Sequence, residues 1–330
     1  MQTLIKSVTD DSVFEAVNIL NNGGVVGMPT ETVYGLAAVG TDGEAVKRIY
    51  EVKGRPSDNP LIAHVHKDYD LEKLVFIEQD YVYKLIKEFM PGPLTLVMKS
   101  RGVVCKEAVC GGSTLAVRMP SHEGCQKLLR AIDKPLVAPS ANLSKHTSPV
   151  TAEHVYNDLN GKIPLILDGG KCTGGIESTV LDVTGKVPRI LRAGLITKEM
   201  ITALVGGCEI AEHKEGDKVK SPGVKYTHYK PNCKTVMFLE EQLDLAKKCY
   251  KESIESGETP YFMCSDRVKN LLGEGVNVLN LGKSAEEMAA NLYDKLLEGE
   301  KKADIIIAIS LPDEKGVNMG IMNRMRKSCG

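Results

Sequence analysis

Several short stretches of this chain gather side chains suited to binding and polarising an anion. Pro29-Thr30-Glu31-Thr32-Val33-Tyr34-Gly35 sets two hydroxyls, a carboxylate and a phenol behind the apolar run Val25-Val26-Gly27. Lys53-Gly54-Arg55-Pro56-Ser57-Asp58-Asn59-Pro60 places two cations two residues apart in a proline-bounded loop. Arg118 closes a strand-like run from Thr114. Pro139-Ser140-Ala141-Asn142-Leu143-Ser144 and Glu177-Ser178-Thr179 are dense in hydroxyl and amide groups. Arginine suits bidentate contact with carboxylate or phosphate, so Lys53 and Arg55 read as an anion clamp. Each stretch also has a plain structural reading: a capped strand-to-helix turn at 28–35, a solvated charged loop at 53–60, a turn cluster at 139–144. His64 and His66 share a strand face by the two-residue period, but a metal pair needs a third ligand that the sequence does not place.

Strands and helices must bring these groups together. Residues 11–22 predict a helix with Val13, Val17 and Leu20 on one face, ended by Asn21-Asn22-Gly23-Gly24. Val25–Gly27 predicts a strand whose pairing Pro29 interrupts. Ligands of open α/β sheets sit outside the carboxyl ends of strands, so the threonine-rich segment is expected to face a cleft. Asp42 can cap a helix running to about Val52, 61–66 reads as a strand, and 81–89 as a helix stopped by Pro91-Gly92-Pro93. Further strands are expected at 94–98, 114–118, 136–138, 165–167, 178–183 and 189–191, with helices capped by Thr151 and Thr197. These make residues 1–205 one α/β domain.

Residues 206–233 read as a connection, yet they carry two tyrosines and a histidine that a Gly/Ser tether would lack. From Thr235, strands and helices alternate strictly, which predicts a smaller Rossmann-like parallel α/β domain over 234–330. Gly282-Lys283-Ser284 resembles the end of a phosphate loop, but Asn277 stands where the first glycine should be. The basic tail 320–327 is expected as a surface helix or a partner contact.

Composition narrows the function classes. A length of 330 residues suits about two domains, each large enough for its own core. With a net charge of −1, no global field draws the chain to nucleic acid or membrane. No apolar run approaches a membrane span, and the N-terminus lacks a signal-peptide core, so a cytoplasmic, membrane-free protein is expected. The nine cysteines are scattered without a C-x-x-C, which suits a reducing compartment and small core residues.

Taken in order, the motifs carry a resemblance. Pro-Thr-Glu-Thr-Val-Tyr-Gly at 29–35, Lys53-x-Arg55-Pro56 with Asn59-Pro60-Leu61, Ser113-Thr114-x-Ala116-Val117-Arg118-x-Pro120, Pro139-Ser140-Ala141-Asn142 and Glu177-Ser178-Thr179 with Leu191-Arg192-x-Gly194 closely resemble the YrdC/Sua5 family over residues 10–205. Ser221-Pro222-Gly223, His228-Tyr229-x-Pro231 and the C-terminal α/β domain resemble its longer, two-domain branch. The resemblance implies a YrdC-like twisted mixed open sheet. It also implies an L-threonylcarbamoyladenylate synthase, joining L-threonine, bicarbonate and ATP into threonylcarbamoyl-AMP with release of pyrophosphate, with Mg²⁺ on the phosphates. A separate transferase complex then modifies tRNA adenosine 37.

Residue by residue, the resemblance implies a threonine pocket of Thr32, His64, Arg118, Ala138 through its backbone, and Ser178. It implies ATP contacts from Arg55, Asn59, Thr114, Ser140, Ser148 and Arg192, with Lys53 beside the phosphates and Tyr229 closing over the nucleotide. Lys53 and Arg55 are the expected catalytic cations, and no protein metal ligands are expected. The chain departs from the family pattern at Lys145, where glycine is common. Two other classes compete: a non-catalytic RNA-binding module with a basic cleft, and a carbamoyl-transfer domain. A net charge of −1 and 5% aromatics argue against the first as the main role, leaving at most a weak RNA contact. The second is associated with zinc-finger and acylphosphatase-like modules, for which the cysteine spacing is absent.

Overall fold

The computed structural model describes residues 2–211 and 229–329. Its larger sheet is built from β1 (Leu4–Ser7), β2 (Val26–Met28), β3 (Gly35–Val39), β4 (Ile62–His64), β5 (Val75–Phe76), β6 (Leu94–Ser100), β7 (Thr114–Arg118), β8 (Leu136–Val137), β9 (Leu165–Asp168), β10 (Thr179–Asp182), β11 (Arg189–Arg192) and β12 (Glu209–Ile210). The spatial order is β1-β9-β2-β3-β8-β4-β7-β6-β10-β11-β12, with β5 beside β6. The sheet is mixed: β4 and β7 run parallel, while β2–β3, β3–β8 and β8–β4 are antiparallel pairs. Six helices flank it: α1 (Asp10–Asn21), α2 (Gly43–Lys53), α3 (Tyr81–Phe89), α4 (Glu123–Ile132), α5 (Ala152–Leu159) and α6 (Lys198–Val205). Side-chain oxygens of Thr9, Asp42, Thr151 and Thr197 accept the first amides of α1, α2, α5 and α6, so four polar residues set where those helices begin.

Three features of this sheet and its helices differ from the sequence expectations. Segment 29–34 joins two antiparallel strands rather than a strand and a helix, because Gly35–Val39 pairs back onto β2. That run of glycine, alanine and short aliphatics is wholly buried and lacks the alternation that marks a half-exposed strand. The helix α4 was not expected. Its Cys125, Leu128, Leu129 and Ile132 form an apolar stripe, but its cap is the imidazole of His122, which the usual capping signals do not include. The edge strands β1 and β12 are short and partly exposed, so their pattern is weak.

The second sheet is parallel throughout, in the order β13 (Lys234–Phe238), β16 (Ile305–Ile309), β14 (Pro260–Cys264), β15 (Val278–Asn280). Its helices are α7 (Leu243–Glu255), α8 (Asp266–Leu272), α9 (Ala285–Lys302) and α10 (Val317–Cys329). Alternation along β16 separates two faces. Ile305, Ile307 and Ile309 pack with Ala246 and Tyr250 of α7 and Val268 of α8. Ile306 and Ala308 belong instead to a core that includes Leu292, Tyr293 and Leu296 of α9 and Ile321 and Met325 of α10 and is continuous with the core of the large sheet. The tail is therefore no surface helix: Arg324 is 0% exposed.

No cysteine among the described residues forms a disulfide, and no helix among them is long and apolar enough to cross a membrane.

Candidate active site

A cleft enclosing about 670 Å³ of space, mouth included, lies on one face of the large sheet. Ile62 and His64 lie two apart and so share that face, as do Ala116 and Arg118 on the parallel neighbour. Ile62, Val97, Ala116 and Val180 form a small apolar cluster on the sheet. The site draws on both ends of strands. His64 and Arg118 end β4 and β7, but Gly35 begins β3, and Ser140 bridges to Gly35 beyond the end of β8. A mixed sheet has no single carboxyl edge, which is why the expectation of an edge site fails in detail.

Arg118 dominates one end. It is buried, donates from Nη1 to Thr32 Oγ1 at 2.8 Å, and has Nη2 2.7 Å from Glu31 Oε1. Thr30 Oγ1 lies 3.0 Å from Thr32 Oγ1 and donates to the Val33 carbonyl at 2.6 Å, which fixes the loop that presents the hydroxyls. Glu31 is close to Arg118 but badly aligned: neither carboxylate oxygen makes a well-directed hydrogen bond. Beside them His64 Nδ1 sits 3.0 Å from the Ile62 carbonyl, which only accepts, so Nδ1 carries the proton. Burial and the Arg118 charge push His64 down to about 3, so the ring is neutral. Positive charge at this end thus rests on one guanidinium, the geometry for holding a carboxylate.

The other end is a second cationic wall. Arg192 donates to the Ser178 carbonyl at 3.0 and 3.1 Å and to Ser178 Oγ at 3.2 Å, and Ser178 Oγ lies 2.8 Å from Thr95 Oγ1. Arg55, Ser140, Asn142, His146 and Ser148 also line the cleft. Ser148 Oγ donates to Glu177 Oε1 at 2.7 Å. Tyr229 closes one side: it is buried and stacks on Tyr293 of α9 with ring centroids 5.2 Å apart. Its carbonyl accepts from Thr147 Oγ1 at 3.4 Å. Guanidiniums, hydroxyls and amides around an open centre can neutralise and orient a polyphosphate. No cluster of three or more acidic, histidine or cysteine side chains that could hold a metal occurs among the described residues.

A family model described as "Telomere recombination" (Sua5/YciO/YrdC) matches residues 18–194, and a model for the threonylcarbamoyl-AMP synthase C-terminal domain matches residues 196–330. The chain belongs to the Sua5/YrdC family. A threonylcarbamoyl-AMP synthase of Pyrococcus abyssi is 40% identical, over 96% of this chain and 93% of its own. One from Bacillus subtilis is also 40% identical, over 98% and 94%. The crystal structure of the Pyrococcus abyssi Sua5 complexed with L-threonine superposes with a TM-score of 0.91 at 37% identity, covering 100% of this chain and 97% of that one. The two-domain Sua5 architecture is thus shared along the whole chain.

Of the residues singled out from the family pattern, the cleft brings together Arg55, His64, Arg118, Ala138, Ser140, Ser148, Ser178, Arg192 and Tyr229. Thr32 stands just behind Arg118. Asn59 is fully buried, and neither end of its side-chain amide has a hydrogen-bond partner among the described residues, although its carbonyl accepts from Arg55 at 2.9 Å. Thr114 shares the face of Arg118 but lies at the opposite end of β7, outside the enclosed part of the cleft.

Lys53 does not project into the cleft. It is buried beneath the 139–144 loop and donates to the carbonyls of Ser140, at 2.5 Å, and Asn142. Burial, then the Arg55 charge, lowers its basicity. Nor do the histidines pair: His66 lies past the end of β4, 3.2 Å from Asp133. Lys145 takes φ +75°, the left-handed region that explains the family's glycine there, and its carbonyl accepts from the Lys230 amide at 3.2 Å. His228 and residues 212–227 of the 206–233 connection lie outside the described residues, whereas its Glu209–Ile210 pair with β11 as β12 of the large sheet. Sequence reasoning missed Glu31 as the partner of Arg118, and Tyr293 and Arg324 altogether. The signal for Arg324 was its place among Ile321, Met322 and Met325, an arginine on the apolar face of a helix.

Proposed function

We propose that this chain synthesises L-threonylcarbamoyl-AMP from L-threonine, bicarbonate and ATP, releasing pyrophosphate. The observation that carries the proposal is one cleft with a buried guanidinium, Arg118, at one end and the Arg55, Ser140, Ser148 and Arg192 wall at the other. An amino-acid carboxylate placed on Arg118, with its side chain toward Thr32, Ala138 and Ser178, points its amine toward the second wall. The amine nitrogen bonds to the carbon of bicarbonate and water leaves, giving a carbamate. A carbamate oxygen then bonds to the α-phosphorus of ATP as the bond to pyrophosphate breaks. This is a task of positioning and charge neutralisation, and it asks for no protein nucleophile.

In this reading Arg55, Arg192, Asn59 and Thr114 hold the nucleotide. Lys53 fixes the Ser140 loop by donating to its carbonyls. Mg²⁺ enters as part of the ATP substrate, held by phosphate oxygens and water, since Glu31 and Glu177 already face arginines. Tyr229, from the 206–233 connection, serves as a lid over one side of the cleft, excluding water from a labile product. The product passes to a transferase complex acting on tRNA adenosine 37 in the cytoplasm, and any RNA contact by this chain is local and weak. Incubation of the purified chain with ATP, bicarbonate and isotopically labelled threonine tests the reading. A labelled acyl adenylate, identified by mass, is expected; its absence while AMP or ADP accumulates would overturn it.

A further inference from the structure

The C-terminal domain reaches the nucleotide wall through one buried carboxylate. Glu177, which lines the cleft, accepts from Ser148 Oγ at 2.7 Å on one side. On the other it accepts from the Tyr293 hydroxyl of α9 at 2.9 and 3.1 Å and from Arg324 Nε of α10 at 3.1 Å. Arg324 Nη1 also donates to the Ala193 carbonyl, the residue after Arg192. Contact between the domains is close at the same place. A Cβ on Gly175, which has φ +68°, would fall 2.3 Å from the Ala289 carbonyl of α9, and one on Gly320 would fall 3.4 Å from Gly194 Cα. Tyr293 meanwhile stacks on Tyr229. Two residues of the C-terminal domain therefore set the position of Ser148, through Glu177, and of the backbone that carries Arg192.

We infer that Tyr293 and Arg324 are positioning residues for the nucleotide: through Glu177 they hold Ser148 and the 192–194 backbone in register. The C-terminal domain then acts chiefly on ATP affinity, and reaches the threonine end only through Ser178, which Arg192 holds. A carboxylate serving only to join the domains would need no hydroxyl partner from the cleft, whereas this one is divided between the cleft and the interface. The inference rests on the nucleotide reading of that wall but is separable from it by experiment.

The test uses the full chain bearing Tyr293→Phe, which keeps the stack on Tyr229 and removes one hydroxyl, and Arg324→Lys. Each is assayed well below its melting temperature. Equilibrium titration with a non-hydrolysable ATP analogue and with threonine, alongside KM for each substrate, separates the effects. ATP affinity is expected to fall about fivefold for Tyr293→Phe and by up to about 150-fold for Arg324→Lys, the span of ordinary inter-site coupling. Threonine affinity should fall by less than ATP affinity, because Arg118 and Thr32 do not touch Glu177. Ser148→Ala combined with Tyr293→Phe should lose little more than Ser148→Ala alone, because both act through one carboxylate. Unchanged ATP affinity in both variants, or equal loss of both ligands, overturns the inference. Wild-type chain that binds ATP without forming an acyl adenylate would count against the proposed reaction and leave the positioning role to be scored by the titrations alone.

Discussion

Two carboxylate–arginine pairs are buried in the walls of one cleft, and they are built to opposite standards. Glu31, from the loop joining β2 and β3, and Arg118, from β7, approach to 2.7 Å, yet neither Glu31 oxygen is well bonded. Glu177 and Arg324 come from different domains, and the Glu177 carboxylate also receives a serine and a tyrosine hydroxyl. Burial raises the Glu177 carboxyl, but Arg324 first and then Arg192 outweigh it and hold it at about 2. An under-satisfied pair gives up little when a ligand carboxylate takes over the guanidinium. A saturated pair loses much if any member is withdrawn. The first suits exchange with substrate, and the second suits a fixed frame.

The comparison predicts a steep difference in stability. Arg324→Met strands a buried carboxylate and should cost about 3–5 kcal/mol. Glu31→Gln should cost less, because Arg118 keeps its bond to Thr32 and opens onto the solvated cleft. Urea unfolding of both variants decides this, and equal losses would erase the distinction.

Ligand binding should show the converse pattern. Arg118→Ala is expected to weaken threonine binding by about 2–5 kcal/mol while ATP still binds, and Arg55→Ala should weaken ATP with threonine retained. Calorimetric titration of each variant with each ligand checks it. Loss of both ligands in both variants would mean that the walls are not separate.

Acid sharpens the contrast between the two ends. The folded His64 value is about 3 against an ordinary 6.5, so below about pH 6.5 the unfolded ring takes up a proton and the folded ring does not. That stability is complete above pH 6.5 and is lost as pH falls toward 3, about 1 kcal/mol by pH 5.5. The depressed Glu177 value acts in the same direction over a lower window: its contribution persists down to about pH 4.5 and is lost between there and about 2. Unfolding measured at pH 7.5 and 5.5 should therefore show a drop that His64→Gln removes and Glu177→Gln does not. The smallest effect is expected at Lys145, where glycine should stabilise by up to about 1 kcal/mol by relieving a left-handed backbone.

How much of this was legible in the sequence follows from the physics of each part. The helices capped by Asp42, Thr151 and Thr197 and the alternating C-terminal elements announce themselves through local rules. The strand Gly35–Val39 did not, because a strand buried on both faces loses its period. The hydroxyl and guanidinium residues of the cleft could be named from motifs. The turning of Lys53 away from the cleft could not, since it depends on where the Ser140 and Asn142 carbonyls come to rest. The role of Arg324, unlike its place on an apolar face, was hidden for a similar reason. Its partner lies 147 residues earlier in the chain, and no local pattern links the two.

Pyrophosphate release, followed with neither, each and both of threonine and bicarbonate, tests most directly that the two walls serve one reaction. Release only when both are present is predicted, with serine replacing threonine at a loss of about 1–3 kcal/mol for the missing methyl. Release at the same rate without any amino acid would reduce the nucleotide wall to a plain ATPase and contradict the account.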